Sequence, residues 1–134
     1  MVSGSHTFTV ATNAASGMVV TVTGTTLTSG SNTIAACATG CTSTAGTAQF
    51  GINLVANTTP AVGAAASGSA PIGVAATGYA TANNFLFVTG ETIASSTAGI
   101  NSSVFTVAYI TNIAGATAAG SYTTTLTYTA TATF

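Results

Sequence analysis

The chain has 134 residues, of which 47% are hydrophobic, and it contains no lysine or arginine, one acidic residue (Glu91) and one histidine (His6). With a net charge of -1 it has nothing to neutralise phosphates, which excludes nucleic acid and anionic membrane surfaces as electrostatic partners. Too few ionisable groups remain for paired carboxylates, a Ser-His-acid triad or phosphoryl transfer, so we predict no enzyme activity, no cofactor and no metal.

Short β-rich runs separated by turn clusters begin near the N-terminus. "HTFTVAT" and "MVVTVTGTTLT" flank the turn "NAASG", and "AQFGINLVAN" follows further along the chain. In the last of these, apolar residues recur at every second position. This period of two predicts β-strands.

The two cysteines, Cys37 and Cys41, lie in "ACATGCT" with Gly40 between them. In a Thr-rich, charge-poor chain this spacing predicts a small-loop disulfide in oxidising surroundings. A metal pair is disfavoured because the spacing is not CxxC and the single histidine lies far away in the sequence. Loop closure over so short a ring contributes roughly 2 kcal/mol, which is enough to fix a loop.

An Ala/Gly-rich tract occupies residues 60–83 and predicts a low-complexity surface loop, with a short strand near residues 72–74. Pro71 and several Ser and Thr interrupt the tract, so it does not predict a transmembrane helix. We therefore expect no membrane insertion.

Two later runs, "NNFLFVTG" and "SVFTVAYIT", are apolar on both faces, as strands inside a packed sandwich are. The chain then closes with "GSYTTTLTYTATATF". Read in steps of two, its apolar side chains lie on one face and its threonines on the other, which predicts a half-buried strand.

The count of seven or eight short strands without an amphipathic helix predicts the fold class. We expect an all-β protein, an antiparallel β-sandwich of immunoglobulin-like or jelly-roll type, forming a single domain over residues 1–134.

The sequence does not protect the edges of such sheets. Natural sheets use Lys, Pro or bulges for this purpose, whereas this chain has no lysine and two prolines, neither in a clear strand. If the final strand or "HTFTVAT" lies at an edge, it can add to a neighbouring subunit by β-strand complementation. The alternative is that both are internal strands shielded by the long loop.

These considerations give candidate assembly residues. The assembly strand would be the segment from Tyr122 to Phe134, with Leu126 and Tyr128 on its apolar face. The acceptor groove would be lined by aromatic residues of the two-sided strands: Phe85, Phe87, Phe105 and Tyr109. Asn57 and Asn101 begin acceptor sequons and are candidate glycosylation sites, where glycans would add to the solubility that Thr, Ser and Asn side chains provide.

Most of the chain resembles a family of Thr-rich, charge-poor secreted surface proteins of ultrasmall candidate-phylum bacteria. The segments that carry this resemblance are "FTVATNAASGMVVTVTGTTLTSGSNTI", "AQFGINLVANTTPAVG", "NNFLFVTGETIA" and "AGSYTTTLTYTATATF". The ending is also similar to the last strand of spore-coat-U and archaic chaperone-usher pilins. That similarity implies assembly by donor strands.

The functional expectation is therefore an extracellular or cell-surface structural protein. We expect a self-assembling pilin-like filament or surface-coat subunit whose partners are copies of itself. The alternative is a monomeric surface module, either an adhesin or an ice-binding protein that uses rows of threonine. For such rows to form a plane, "FTVAT" and "TVTGTT" would have to lie beside the final strand in register.

Overall fold

The computed structural model describes all residues from 1 to 134 and consists of β-structure with a single turn of 3-10 helix at Thr77–Tyr79. In chain order the strands are β1 (Val2–Thr12), β2 (Met18–Gly24), β3 (Thr28–Ser29), β4 (Asn32–Thr33), β5 (Gln49–Asn53), β6 (Asn57–Thr58), β7 (Ala61–Val62), β8 (Ser67–Gly68), β9 (Val74–Ala75), β10 (Thr92–Ser96), β11 (Ile100–Asn112) and β12 (Leu126–Ala132). The all-β prediction is confirmed. There are more than the expected seven or eight strands because six of the twelve have only two residues, too few to show a period of two.

Two larger antiparallel sheets share one core, as in a β-sandwich. The first has the order β1-β11-β5, with β8 pairing with another part of β11, and the second has the order β12-β2-β10-β9. Two small hairpins, β3-β4 and β6-β7, complete the pairing. The first strand of the chain and the last one each have a single neighbour in their sheets.

The core lies between the inner faces of the two sheets. Alternate residues of β2 are buried, while Val19 and Thr23 between them face solvent. Against them pack the inner residues of the other sheet, so that one cluster joins Met18, Val20, Val22, Phe50, Ile52, Ile93, Phe105 and Val107. This alternation is the period of two that the sequence displays.

Strand β11 is covered on both faces, as predicted for "SVFTVAYIT". Phe105 and Val107 belong to the main core, whereas Ala108 and Ile110 form a second buried cluster with Phe85 on the opposite face. The disulfide loop and the β6-β7 hairpin contribute Cys41 and Val62 to that second cluster.

The prediction of a regular strand at "NNFLFVTG" is wrong. Phe85 exchanges both of its main-chain hydrogen bonds with Cys41, while the next residue, Leu86, exchanges both with Ile52. Consecutive residues therefore form hydrogen bonds with different segments, so the run does not form a continuous β-ladder with a single partner strand. The apolar side chains that suggested a strand are nonetheless buried: Phe85 is 0% and Phe87 is 4% exposed.

The Ala/Gly-rich tract is more ordered than a surface loop. It contains β7, β8, β9 and the 3-10 turn, and its short strand lies at Val74–Ala75, close to the expected position. Tyr79 at the end of the turn is buried, and its carbonyl oxygen accepts a hydrogen bond from Leu54 at 2.9 Å. None of the helical structure is long and apolar enough to cross a membrane.

Candidate assembly surface

The free edges of β1 and β12 lie on the same side of the sandwich, which we call the open flank. Strand β1 pairs from Val2 to Thr12 with β11 alone, and β12 pairs with β2 alone. The ring of Phe8 on β1 stacks against Tyr128 on β12, with centroids 5.7 Å apart. The two edges are thus neighbours across the gap between the sheets, and each leaves a row of main-chain donors and acceptors unpaired.

Aromatic rings fill the gap at the open flank. Phe8 stands opposite Phe105 in the β1-β11 register, and their rings stack at 5.3 Å. His6 stacks on Tyr109 at 5.4 Å and contacts Tyr128 at 5.3 Å. Such pairs contribute about 0.5 to 1.5 kcal/mol each beyond the area that they bury, so these rings are a main link between the two edges.

A short hydrogen-bond chain crosses the same gap. The Tyr109 hydroxyl is 2.9 Å from Nδ1 of His6 and is also hydrogen-bonded to the hydroxyl of Tyr128. Partial desolvation of the ring lowers the pKa of His6, although the residue is exposed, and burial raises the pKa of Tyr109. Burial and the hydrogen bond with Tyr109 raise the pKa of Tyr128 as well. All three groups are therefore favoured in their neutral forms.

An open cleft of about 560 Å³ adjoins this hydrogen-bond chain. It lies where the start of β12 faces the end of β11, and its lining consists of His6, Leu27, Phe50, Tyr109, Thr111, Thr124, Leu126 and Tyr128. No Asp, Glu, Lys or Arg contributes to it. The cleft therefore suits a neutral, apolar occupant.

The structure contains no cluster of three or more His, Cys, Asp or Glu side chains. The single acidic side chain, Glu91, accepts a hydrogen bond from the Tyr79 hydroxyl at 2.9 Å. Burial, and then the interaction with Glu91, raise the pKa of Tyr79. This pair ties the 3-10 turn to the start of β10.

The candidate assembly strand divides into parts with different surroundings. Leu126 and Tyr128 are half-buried and line the cleft. Tyr122 precedes β12, and its hydroxyl donates to the carbonyl oxygen of Ala118 at 2.9 Å. Phe134 follows β12 and is 86% exposed.

The four candidate groove residues do not lie together in an open groove. Phe85, Phe87 and Phe105 are closed into the interior, and Tyr109 alone of the four lines the cleft. Phe8 covers Phe105, and Phe50 covers Phe87 edge to face at 5.2 Å. Thr111 lies on β11 with Tyr109, and Thr124 lies two residues before Leu126, whereas His6, Leu27 and Phe50 come from separate segments that no local pattern in the sequence connects.

The two sequon asparagines differ sharply. Asn57 is 7% exposed, and its amide nitrogen donates to Asn53 Oδ1 and to the carbonyl oxygens of Val55 and Val62. Its Oδ1 accepts from the main-chain nitrogen of Asn83 at 2.7 Å. Asn57 is thus a structural residue of the fold, whereas Asn101 lies exposed.

The predicted disulfide between Cys37 and Cys41 is present. Main-chain hydrogen bonds from Cys37 to Phe50 and from Cys41 to Phe85, both 2.8 Å, hold its loop in place. The loop packs on the face of β11 opposite the aromatic rings of the open flank.

Threonines form a regular patch on the outer face of the second sheet. The β12-β2 register places Thr127 opposite Thr23 and Thr129 opposite Thr21. "TVTGTT" therefore does lie beside the final strand in register, whereas "FTVAT" belongs to β1 in the other sheet.

No family model matches the chain, and neither a curated protein nor a solved structure matches it. Inferences about function consequently depend on the geometry described above.

Proposed function

We propose that the protein is an extracellular structural subunit that self-associates through the open flank to build a pilin-like filament or a surface coat. The observation that carries this proposal is the position of β1 and β12, which present two unpaired strand edges side by side. Its partners are copies of the same chain.

The edges lack charge and proline, two common devices that prevent strand addition, and the one register irregularity of β1 lies near its end, between Val10 and Thr12. Strands β1 and β12 contain no Lys, Arg, Asp, Glu or Pro. Strand β1 is 11 residues long, and its first six residues are all exposed. A long, uncharged edge pairs readily with another strand, because no charge has to be desolvated and no proline interrupts the ladder.

The extracellular assignment is supported by the disulfide between Cys37 and Cys41, since such bonds persist in oxidising compartments. The near absence of charge favours self-association, as the open edges do, because copies of the chain do not repel one another.

The test is a single lysine placed as an edge guard. Ala130 lies exposed on the inner side of β12, so the substitution Ala130→Lys adds a charge at the edge without disturbing the core. Assembly would bury that charge, so the concentration needed for assembly should rise by at least about tenfold. Ala45→Lys, on an exposed loop, is the control with the same change in charge.

Assembly is measured by sedimentation velocity and by electron microscopy of the purified chain. The proposal requires regular polymers for the wild type and the Ala45→Lys variant, and their loss for Ala130→Lys. Ser5→Lys, on the exposed part of β1, shows whether that edge takes part as well. A wild type that remains monomeric at high concentration contradicts self-assembly.

A second candidate function is ice binding by the threonine patch on β2 and β12. The supporting observation is the register of Thr21 and Thr23 with Thr129 and Thr127. Pairing across strands and alternation along them space such hydroxyls by about 4.8 Å and about 6.8 Å, a regular two-dimensional array.

The experiment for this candidate is thermal hysteresis of the monomeric chain. Thr129→Tyr should abolish hysteresis, whereas Thr9→Tyr, on an exposed threonine of the other sheet, should leave it unchanged. If the wild type shows no hysteresis, the second candidate is excluded.

A further inference from the structure

Phe134 is the most exposed large apolar side chain of the protein. It is 86% exposed, compared with 70% for Val2 and 60% for Val74. Main-chain hydrogen bonds between Thr133 and the turn at Ser16 and Gly17 continue the extended pairing beyond β12, so the position of Phe134 is supported. By strand alternation, Phe134 shares a face with Tyr128 and Leu126.

Phe134 cannot reach the cleft of its own chain. The cleft is lined by Leu126 and Tyr128, near the beginning of β12. From Tyr128 to Phe134 the extended chain advances six residues, roughly 20 Å. The exposed ring and the uncharged cleft are therefore at opposite ends of the same strand.

We propose that Phe134 of one copy inserts into the cleft of the next copy, so that subunits associate head to tail. This inference rests on the proposed self-assembly and specifies how neighbouring subunits are oriented in it. A projecting apolar group and a cavity on different parts of one surface make a heterologous contact, which continues into a filament whenever the rotation does not close a ring.

The chemistry of the cleft suits a phenyl ring. Its lining carries no Asp, Glu, Lys or Arg, and aromatic side chains of Phe50, Tyr109 and Tyr128 form part of its wall. Aromatic rings pack there edge to face or in offset stacks. A volume of about 560 Å³ leaves room for the ring and for the adjoining main chain.

The contact does not suffice alone. A buried aromatic side chain removes about 150 to 250 Å² from solvent, whereas a stable interface buries about 1,200 to 2,000 Å². The remaining area has to come from the unpaired edges of the open flank. Beside β12 the small inward residues Ala130 and Ala132 are exposed, which leaves space for a neighbouring strand. In this arrangement Phe134 fixes the polarity and register of the association.

The experiment uses one variant without the inserted ring and one without the cleft. Phe134→Ala removes the ring at an exposed site, so folding is unaffected, and burial energies predict at least about a tenfold rise in the concentration for assembly. Thr111→Trp fills the cleft from the half-buried position 111. Ile113→Ala, at a residue 57% exposed outside the cleft, is the matched control.

Mixing the two variants tests direction. The Phe134→Ala chain retains its cleft, and the Thr111→Trp chain retains its ring, so an equimolar mixture should form a two-copy species that grows no further. Sedimentation velocity detects that species. Circular dichroism tests whether Thr111→Trp is folded. If Thr111→Trp is misfolded, the Phe134→Ala variant alone still shows whether the Phe134 ring is needed for assembly.

Two outcomes overturn the inference in distinguishable ways. If Phe134→Ala polymerises as readily as the wild type and Ile113→Ala, the head-to-tail contact is wrong while self-assembly stands. If the wild type itself stays monomeric, both proposals fail.

Discussion

The hydroxyls of Tyr109 and Tyr128 are hydrogen-bonded to each other although the two residues belong to different sheets. Tyr109 lies on β11 and also contacts His6 on β1, whereas Tyr128 lies on β12. Through the contact with His6, the pair therefore connects the two free edges of the sandwich at the boundary of the cleft. A substitution that removes this connection should therefore change the stability of the open flank and its capacity to bind another copy.

The substitution Tyr128→Phe removes this connection and keeps the ring. We expect the free energy of unfolding to fall by about 1 kcal/mol, because the hydroxyl of Tyr109 loses one partner in a partly buried site. Urea denaturation measures the change. Tyr122→Phe is the control, since its hydroxyl bonds to the Ala118 carbonyl at the surface and its loss should cost less. Equal losses for both variants would contradict a special role of the pair.

Alkaline pH should unfold the protein. Burial raises the pKa of Tyr79, Tyr109 and Tyr128 above the ordinary value of 10.0. The unfolded chain then releases these protons first, so their contribution to stability is complete below pH 10 and is lost as the pH rises further. With no lysine in the chain, few other groups titrate there.

The measurement combines tyrosinate absorbance with circular dichroism during an alkaline titration. The two signals should change together, because ionisation of these phenols is linked to unfolding. In the Tyr109→Phe/Tyr128→Phe variant the alkaline loss of stability should be less steep. Ionisation of all phenols at their ordinary pKa without loss of structure would disprove the linkage.

Asn57→Ala should destabilise the fold strongly. The side chain is 7% exposed, donates to three acceptors and receives a hydrogen bond from Asn83, and the substitution removes all four bonds; Asn53 Oδ1 keeps a second bond, from the Val55 nitrogen. Leaving several buried polar groups unsatisfied predicts a loss of about 2 to 4 kcal/mol in thermal or urea unfolding. Asn101→Ala, at the exposed sequon, should change stability by less than about 1 kcal/mol. Similar effects at both sites would refute this assignment.

Gly17 is required at the turn between β1 and β2. Its φ is +77°, and a Cβ at this position would lie 2.1 Å from the carbonyl oxygen of Ser96. Gly17→Ala therefore combines backbone strain with a clash against main chain, and we expect a loss of more than about 2 kcal/mol.

Gly46→Ala, in the loop before β5, measures the backbone strain of a positive φ without a clash. Its φ is +82°, but nothing lies within 4 Å of the added Cβ, so the loss should be only about 1 kcal/mol. Differential scanning calorimetry compares the two variants. If Gly17→Ala loses no more stability than Gly46→Ala, the close approach to the Ser96 carbonyl oxygen does not destabilise the Gly17→Ala variant.

Local patterns predicted several elements correctly and failed at others for physical reasons. The run "SVFTVAYIT", with apolar residues on both faces, predicts β11 and its burial on both faces, because all of these residues lie in one strand. Strand β10, with the sequence TIASS, has small polar residues at both ends and shows little alternation. "NNFLFVTG" displays an apolar pattern, but its main chain pairs with two different segments.

The sequence by itself determined the properties that depend on residue type and short spacing. These are the all-β fold class, the near absence of charge and the Cys37–Cys41 disulfide. Only the tertiary structure decided which strands are edges and what lies beside them. Gly4 pairs with Tyr109 and Thr21 with Thr129, each across about a hundred residues of chain. Strand partners at such separations are chosen by the packing of the whole core, so no local pattern could reveal the open flank or its cleft.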